Sequence, residues 1–175
     1  MDKRSLQTLG HHLQTLRQAR GWSLSQLAAQ AGIAKSNLSR LEQGDGNPTL
    51  DTLWRLAMRL EIPFGTLVAP ITAVLGEDGV TVQLIDQGKG QPAVDAYWMR
   101  CEPHTHRRAE PHSPGTREFL NVVSGALAAG PVNDMQRLAA GDRFEFPADR
   151  PHAYRTEAEA ATFLMTIVYT GGDTP

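Results

Sequence analysis

The stretch WSLSQLAAQAGIAKSNLSRLEQG, residues 22–44, decides the fold of the first part of this 175-residue chain. Its local pattern predicts two short helices joined by a tight turn. Ser23 can cap the first helix with Gln26 three residues later, which is the spacing of a capping box. Gly32 supplies the turn, because a residue without a Cβ adopts a left-handed backbone conformation without strain. Leucine and alanine recur at helical spacing, so each helix has one apolar side.

The polar side of the second helix carries Lys35, Ser36, Asn37, Ser39 and Arg40. A face of short polar and basic side chains can lie in a major groove and reach base edges. The helix ends in the pattern SRLEQG, and the whole stretch resembles the helix-turn-helix of phage-repressor-like (XRE-family) regulators. The resemblance covers essentially residues 6–68 and implies an all-α, five-helix DNA-binding domain. The alternative is an ordinary helical hairpin with a solvated polar face.

The resemblance also implies which side chains contact DNA. The expected contacts are Arg17, Ser23, Gln26, Lys35, Ser36, Asn37, Ser39 and Arg40. Arg17 lies on the last turn of a first helix predicted over residues 5–20, where such domains often contact phosphate. An equal alternative is a cation favoured near a helix C-terminus. Ala34 stands where these domains commonly have a capping Ser or Thr, which costs the second helix about 1 kcal/mol.

These few side chains cannot specify an operator sequence by themselves. Repressor-like domains therefore usually bind palindromic double-stranded operators as dimers, on half-sites about one helical turn apart. The charge distribution agrees with DNA binding by the first part of the chain. Residues 1–70 hold eight Lys and Arg against five Asp and Glu, whereas residues 71–175 hold nine against fourteen. The excess is small, so charge supports this interpretation without establishing it.

Composition restricts the environment of the protein. One cysteine excludes an intrachain disulfide and suits a reducing compartment. No N-terminal apolar run resembles a signal peptide, and no stretch approaches the ~18 apolar residues of a membrane span. We therefore expect a cytoplasmic protein without a membrane partner.

The periodicity changes after residue 68, which predicts two domains. We expect a helix-turn-helix domain over residues 1–68, a linker over residues 69–79 and a second domain over residues 80–175. The second domain has alternating β-branched and aromatic residues with Gly, Pro and Asp turns between them. This pattern predicts strands at 80–85, 93–101, 119–123, 143–146 and 162–169. Several short strands at this spacing indicate a sandwich or a jelly-roll barrel.

Two segments of the second domain carry chemistry. In the first, His112 precedes Glu118, which is followed by six residues and a glycine. The second segment is GDRFEFPADRPH, residues 141–152. The two segments resemble the two cupin motifs, and they imply a cupin (double-stranded β-helix, jelly-roll) barrel over about residues 80–170. Pro114 stands where the first motif usually has a second histidine.

A nearby segment, HTHRRAE at residues 104–110, also spells the first cupin motif. Glu110 is followed by PHSPGTR, which cannot continue as a central strand, whereas Glu118 leads into an apolar strand. His104 and His106 are therefore predicted to lie in a polar loop.

The resemblance implies metal ligation by His112, Glu118 and His152. Two imidazoles and one carboxylate with an open position suit Zn²⁺, and Fe²⁺ is the second choice. Because the second histidine is absent, a metal-free pocket that hydrogen-bonds an organic ligand remains an alternative.

Residues that alternate on the strands are expected to line the barrel interior. The predicted effector pocket consists of Tyr97, Arg100, Asn121, Phe144 and Tyr154. Arg100 or Arg117 could clamp a carboxylate effector through two parallel hydrogen bonds. A surface ion pair is the alternative for each arginine.

These observations favour a sequence-specific DNA-binding transcriptional regulator, not an enzyme. Its cupin domain would sense a small molecule and hold a homodimer. The resemblance to repressor–cupin fusions suggests an amino acid or a related metabolite as the effector. One alternative is a metalloenzyme of the phosphonate-epoxidase type, a family that joins a repressor-like helical domain to a cupin iron site. That family has three residues between the first histidine and the glutamate, whereas this chain has five. Another alternative is a binding or storage cupin.

Overall fold

The computed structural model describes residues 1–71, 74–88 and 90–170. The chain divides into a helical unit, residues 1–74, and a β unit, residues 75–175. The predicted linker over residues 69–79 is corrected at its C-terminal end, because Leu75–Glu77 forms a strand that pairs with the next one. Residues 72 and 73 of that linker lie outside the described residues.

The described part of the helical unit contains the five helices that the resemblance implies. They are α1 Lys3–Ala19, α2 Leu24–Ala31, α3 Lys35–Glu42, α4 Leu50–Arg59 and α5 Phe64–Val68. Ser23 and Gln26 form both hydrogen bonds of the predicted capping box at the start of α2. Gly32 ends α2 at φ 63°, the left-handed conformation predicted for the turn. Ala34 provides no side-chain cap for α3, as expected.

Leucine side chains form the core of the helical unit. Leu9 and Leu13 of α1, Leu27 of α2 and Leu38 of α3 are fully buried. The backbone of α1 passes very close to the end of α3, and Gly10 lies at the crossing. A Cβ atom at Gly10 would stand 2.3 Å from the backbone oxygen of Leu41. Only glycine fits between these two helices.

Over residues 75–88 and 90–170, the β unit contains ten strands. They are β1 Leu75–Glu77, β2 Val80–Gly88, β3 Ala93–Cys101, β4 His106–Ala109, β5 Arg117–Ser124, β6 Ala126–Pro131, β7 Gln136–Ala139, β8 Arg143–Pro147, β9 His152–Arg155 and β10 Ala161–Tyr169. The five predicted strands correspond to β2, β3, β5, β8 and β10. Of the other five, β1, β4, β7 and β9 have only three or four residues, and β6 (ALAAGP) has no polar–apolar alternation. The prediction of a loop at His106 was wrong, because His106 begins β4.

Two antiparallel sheets form the predicted jelly roll. One has the order β1-β2-β3-β10-β5-β8 and the other the order β4-β9-β6-β7. On the inner face of the six-stranded sheet, Asp95, Ile167, Glu118 and Phe146 are paired in one row across four adjacent strands. All four side chains are buried. Register thus places two carboxyl groups inside the β unit, and one of them is Glu118.

Replacing Gly10 with alanine should destabilise the helical unit. Alanine is normally favoured over glycine inside a helix, but here its Cβ would clash with α3. We expect Gly10→Ala to lower the free energy of unfolding by about 2 kcal/mol. The measurement is urea unfolding followed by far-ultraviolet circular dichroism. His11→Ala, at the exposed neighbouring position, serves as the control and should not reduce stability. A Gly10→Ala variant as stable as wild type would contradict the close approach.

Candidate functional site

The exposed face of α3 contains most of the predicted DNA contacts. Lys35, Ser36, Asn37 and Arg40 are exposed and Ser39 is half-buried. The opposite side of the helix packs into the core. The helical period therefore separates the polar side chains from the apolar ones, and α3 presents a polar, basic surface.

Arg17 does not belong to that surface. Its guanidinium is buried and donates two parallel hydrogen bonds to Glu42, at 2.6 and 2.8 Å. It also donates to the backbone oxygen of Trp22 at 2.7 Å. The expectation that Arg17 contacts phosphate is corrected, because the side chain points into the unit and ties α1 to the end of α3.

Ser23 and Gln26 are exposed at the N-terminus of α2, where each also takes part in the capping box. A concave surface of about 440 Å³ adjoins α3 on the side of the α3–α4 turn. Asn47, Thr49 and Arg55 line it together with the exposed face of α3. The sequence analysis did not count these three residues among the DNA contacts, because only tertiary packing places them beside α3.

A second cluster lies in the β unit, where His112, Glu118 and His152 converge. The Oε1 atom of Glu118 lies 2.8 Å from Nε2 of His112 and 3.4 Å from Nε2 of His152. One potential ligand atom from each residue lies within 4.8 Å of the others, and all three side chains are buried. Glu118 is on β5, His152 begins β9, and His112 lies on the connection between β4 and β5.

Hydrogen bonds hold two of these groups in place. Tyr154 donates its hydroxyl hydrogen to Oε2 of Glu118. The Nδ1 atom of His152 lies 2.9 Å from the backbone oxygen of Arg150, to which it donates. With the hydrogen on Nδ1, the other ring nitrogen of a neutral His152 carries a lone pair directed at Glu118. The backbone N–H of His112 donates to the oxygen of Ala148 at 2.9 Å, which joins the two cupin-like segments.

The charges of the cluster depend on one another. Burial by itself raises the pKa of Glu118, but the charge of His152 and the hydrogen bond from His112 lower it far below its usual value. Burial lowers the pKa of His112 below 6.5. Burial also disfavours a charged His152, but the carboxylate of Glu118 raises the pKa of His152 overall. Each of these two groups therefore favours the charged form of the other.

The three residues fit a metal ion by their chemistry. Nε2 of His152 is fully buried and hydrogen-bonds to no residue that the structure describes. A buried nitrogen without a hydrogen bond is costly unless another group binds it. Two imidazole nitrogens and a carboxylate oxygen facing one another form a three-ligand set for a divalent metal. The donors do not decide between Zn²⁺ and Fe²⁺.

The competing motif HTHRRAE, residues 104–110, does not contribute to this cluster. His104, His106 and Glu110 are all exposed. Pro114 is also exposed and contributes nothing to the cluster. The structure thus brings together His112, Glu118 and His152. Glu118 is the glutamate that the sequence analysis preferred, because a strand follows it.

The residues of the predicted effector pocket lie on different faces of the β unit. Tyr97 and Tyr154 are buried on inner faces. Arg100 and Asn121 were predicted wrongly, because both lie on the outer face of the six-stranded sheet, and Arg100 pairs there with Glu102 at 2.8 Å. Phe144 is half-buried beside Phe146, with ring centroids 5.6 Å apart.

Phe144 also lines a cleft of about 480 Å³. Phe146 connects this cleft to the metal-type cluster, since its ring centroid lies 5.6 Å from that of His152. Two arginines at the cleft, Arg108 and Arg150, were missed by sequence analysis. Arg108 belongs to the segment HTHRRAE and Arg150 to the segment GDRFEFPADRPH, and no periodic signal in the sequence distinguishes them from their neighbours.

Comparison with known proteins identifies both units. A helix-turn-helix family model matches residues 13–67, and a cupin domain model matches residues 97–168. The uncharacterized HTH-type transcriptional regulator y4dJ of Sinorhizobium fredii is 37% identical over 70 residues, covering 40% of this chain and 88% of that protein. The chain belongs to the HTH-type transcriptional regulators.

Similarity extends over the whole regulator. The HTH-type transcriptional regulator SutR of Escherichia coli is 28% identical over 163 residues, which cover 90% of this chain and 92% of SutR. A crystal structure of an HTH_3 family transcriptional regulator from Vibrio cholerae has the same fold. It superposes with a TM-score of 0.86 at 24% identity, covering 97% of this chain and 99% of the other. Within residues 1–71, 74–88 and 90–170, no helix has the length and apolar character needed to cross a bilayer.

The regulator should lose stability in acid through Glu118. Its pKa is lowered in the folded protein, so below about pH 4.5 the unfolded chain binds more protons and stability falls as the pH decreases. Glu118→Gln cannot titrate, so its stability should depend less on pH in this range. Glu145→Gln, in an exposed ion pair with Arg117, is the control and should behave like wild type.

The stability of the β unit can be measured through the reactivity of Cys101. It is the only cysteine of the chain, and it is fully buried in the β unit, where burial raises the pKa of its thiol to about 12. Labelling by 4,4′-dithiodipyridine in a chelating buffer, across a urea series at each pH, therefore reports unfolding of this unit. Parallel stability curves for wild type and Glu118→Gln would show that Glu118 is not a charged group of lowered pKa.

Proposed function

We propose that the regulator binds operator DNA through α3 and senses a small effector at the His112–Glu118–His152 cluster. The observation that carries this proposal is the convergence of three buried ligand groups in a chain that also presents an exposed basic recognition helix. The relatives reported above are named as transcriptional regulators. This supports a regulatory rather than a catalytic role.

DNA binding would use the exposed face of α3. Lys35 and Arg40 are the cations on this face, so they can reach guanine edges or phosphates. Ser36, Asn37 and Ser39 add short hydrogen-bonding groups. Ser23 and Gln26 at the start of α2 would contact backbone phosphates. The concave surface beside α3 adds Asn47 and Thr49, at the start of α4, as further phosphate contacts.

Removing either cation of α3 should weaken operator binding. We expect Lys35→Ala and Arg40→Ala to reduce affinity about tenfold each while leaving unfolding stability unchanged. If the removed cation contacts phosphate, the salt dependence of binding should also fall by about one released ion. If it contacts a base, specificity should relax at one position of the operator. The probe is a duplex selected from a random-sequence library by wild-type protein. Lys3→Ala, at an exposed position of α1, is the control. Equal affinities for all four proteins would rule out α3 as the recognition helix.

The cluster would hold a divalent metal, with Zn²⁺ as the first expectation. His112 and His152 would provide neutral imidazole nitrogens and Glu118 a carboxylate oxygen. The hydrogen bond from Nδ1 of His152 to Arg150 already orients that ring, and Tyr154 orients the carboxylate of Glu118. A metal with three protein ligands supplies a Lewis-acidic open position that an effector can occupy.

Metal analysis tests the cluster. Protein purified without an affinity tag or chelator should contain close to one zinc per chain. His112→Ala and His152→Ala should each lower the metal content at least tenfold, because two remaining ligands bind metal weakly. His106→Ala, an exposed histidine of the competing motif, should retain the metal. Metal-free wild type after incubation with zinc sulfate would reject the metal site and leave a pocket that binds by hydrogen bonds.

The effector would occupy the cleft beside Phe144 and Phe146. Its volume of about 480 Å³ suits a small metabolite. Arg108 and Arg150 line the cleft together with Asp134 and Glu145, so its charges of both signs suit a zwitterion such as an amino acid. Binding would regulate transcription only if it changes the affinity for DNA, because allosteric coupling is a free energy between two sites. Operator binding measured with a panel of the twenty amino acids tests this. No change with any amino acid would reject amino acid sensing.

A catalytic function is the second candidate, because two histidines and one carboxylate also form an iron site. Near-stoichiometric iron in place of zinc would favour it and would justify an oxygen-uptake assay.

A further inference from the structure

One arginine of the β unit is buried although its neighbours on the strand are not. Arg107 lies on β4 between His106 and Arg108, which are both exposed, whereas Arg107 is 5% exposed. A guanidinium keeps its positive charge in proteins, so burial cannot neutralise it as burial neutralises a histidine or a lysine. A permanent cation therefore lies inside the β unit, where its charge acts with little screening by water.

Strand register places Arg107 beside the His112–Glu118–His152 cluster. Arg107 on β4 is paired with Tyr154 on β9, and the hydroxyl of Tyr154 donates to Glu118. Arg107 and Glu118 thus have a common neighbour. The electrostatics of the cluster agree with this placement. Burial is the main cause of the lowered pKa of His112, and the positive charge of Arg107 acts in the same direction.

The carboxylate of Glu77 on β1 opposes the charge of Arg107 from a long distance. Nη1 of Arg107 lies 3.5 Å from Oε2 of Glu77, whereas a charged pair usually approaches to about 2.7–2.9 Å. Arg17 and Glu42 in the helical unit show the closer arrangement, with two hydrogen bonds of 2.6 and 2.8 Å. The side chain of Glu77 is also 19% exposed, so water solvates part of it. Glu77 therefore cancels less of the field of Arg107 than Glu42 cancels of the field of Arg17.

Asp95, another buried carboxylate of the β unit, is held apart from the cluster. It accepts hydrogen bonds from the hydroxyls of Tyr97 at 2.8 Å and Tyr169 at 2.9 Å. In the row across the six-stranded sheet, Ile167 of β10 stands between Asp95 and Glu118. Their backbones are thus separated by two strand spacings of ~4.8 Å each. The charge of Asp95 is matched by two donors of its own.

The cleft beside Phe144 gives no preference for one sign of charge. The charged side chains that line it are Arg108, Arg150, Asp134 and Glu145, two cations and two anions. An effector that enters through this cleft meets a balanced surface. Selection by charge therefore has to come from the interior, where Arg107 lies.

We infer that Arg107 determines the specificity of the proposed effector site, and that the effector faces the cluster with an anionic group such as a carboxylate. The inference rests on the proposed function, and it adds which end of a zwitterion points inward. An anion at the open position of a divalent metal gains an attraction to Arg107 that a neutral ligand lacks. Arg107 acts through its charge, so it needs no contact with the effector.

The test is ligand binding by the full-length protein loaded with cobalt(II) in place of zinc, because the visible absorption of cobalt(II) changes when a further ligand binds. The probes are sodium acetate, an anion, and neutral imidazole, each titrated at constant ionic strength. Arg107→Gln should raise the dissociation constant for acetate about tenfold and leave that for imidazole unchanged. Arg107→Lys keeps the charge and should resemble wild type.

Replacing the partner of Arg107 should have the opposite effect. Glu77→Gln removes the anion that opposes Arg107, so acetate should bind about threefold more tightly. An ion pair that only supported the fold would weaken acetate and imidazole binding alike in both variants. Arg155→Gln, at an exposed position of β9, is the control and should leave both dissociation constants unchanged.

Three further readouts keep the outcomes separate. Protection of Cys101 from labelling shows that each variant is folded, cobalt content reports the metal site, and binding to the selected duplex reports the DNA function. If Arg107→Gln does not fold, the sign of the effect of Glu77→Gln decides.

The inference would be overturned by acetate affinities that do not differ among wild type, Arg107→Gln and Glu77→Gln, or by a parallel loss for both probes. Wild type that takes up no cobalt would reject the metal site and this inference with it. The expected acetate pattern in a protein that selects no duplex would support the inference and reject the regulatory function.

Discussion

The β unit depends on one constraint, a carboxylate that is almost completely buried. Glu118 is 1% exposed, and a charge in such a place must be compensated by partners. His112, His152 and Tyr154 supply them from the β4–β5 connection and from β9. These segments are far apart in the chain. The need to satisfy one carboxylate therefore holds both cupin-like segments together, and the same need produces a site whose donors face one another.

The helical unit uses the same physical device. Glu42, the acidic residue of the SRLEQG pattern, is buried and forms a bidentate ion pair with Arg17. A buried ion pair contributes little net stability against an apolar alternative, but losing either partner leaves an uncompensated charge. Together with the close contact at Gly10, the pair favours a single arrangement of α1 and α3. The buried Arg17–Glu42 pair thus fixes the orientation of α3, whose opposite face is exposed.

Much of the fold could be predicted from the sequence because its signals are local. Helix caps, the left-handed Gly32 and the apolar periods of the helices depend on residues within a few positions of one another. The long strands were predictable for the same reason. The five other strands were not, because β1, β4, β7 and β9 have only three or four residues and β6 is a run of small residues without alternation, and their pairing partners are set by the fold. The mistake at His106 has this origin, since β4 is held by its pairing with β9.

The sequence by itself determined the order of the two units, the polar face of α3 and the residue types of the metal-type cluster. It determined them because periodicity and motif spacing are properties of the chain alone. Tertiary structure decided which face of each strand is the inner one, and so placed Arg100 and Asn121 outside and Tyr97 inside. It also turned Arg17 inward toward Glu42 and placed Trp98 opposite Leu164 on the outer side of the six-stranded sheet. Alternation tells which residues share a face, but only the packing of one sheet on the other decides which face is buried.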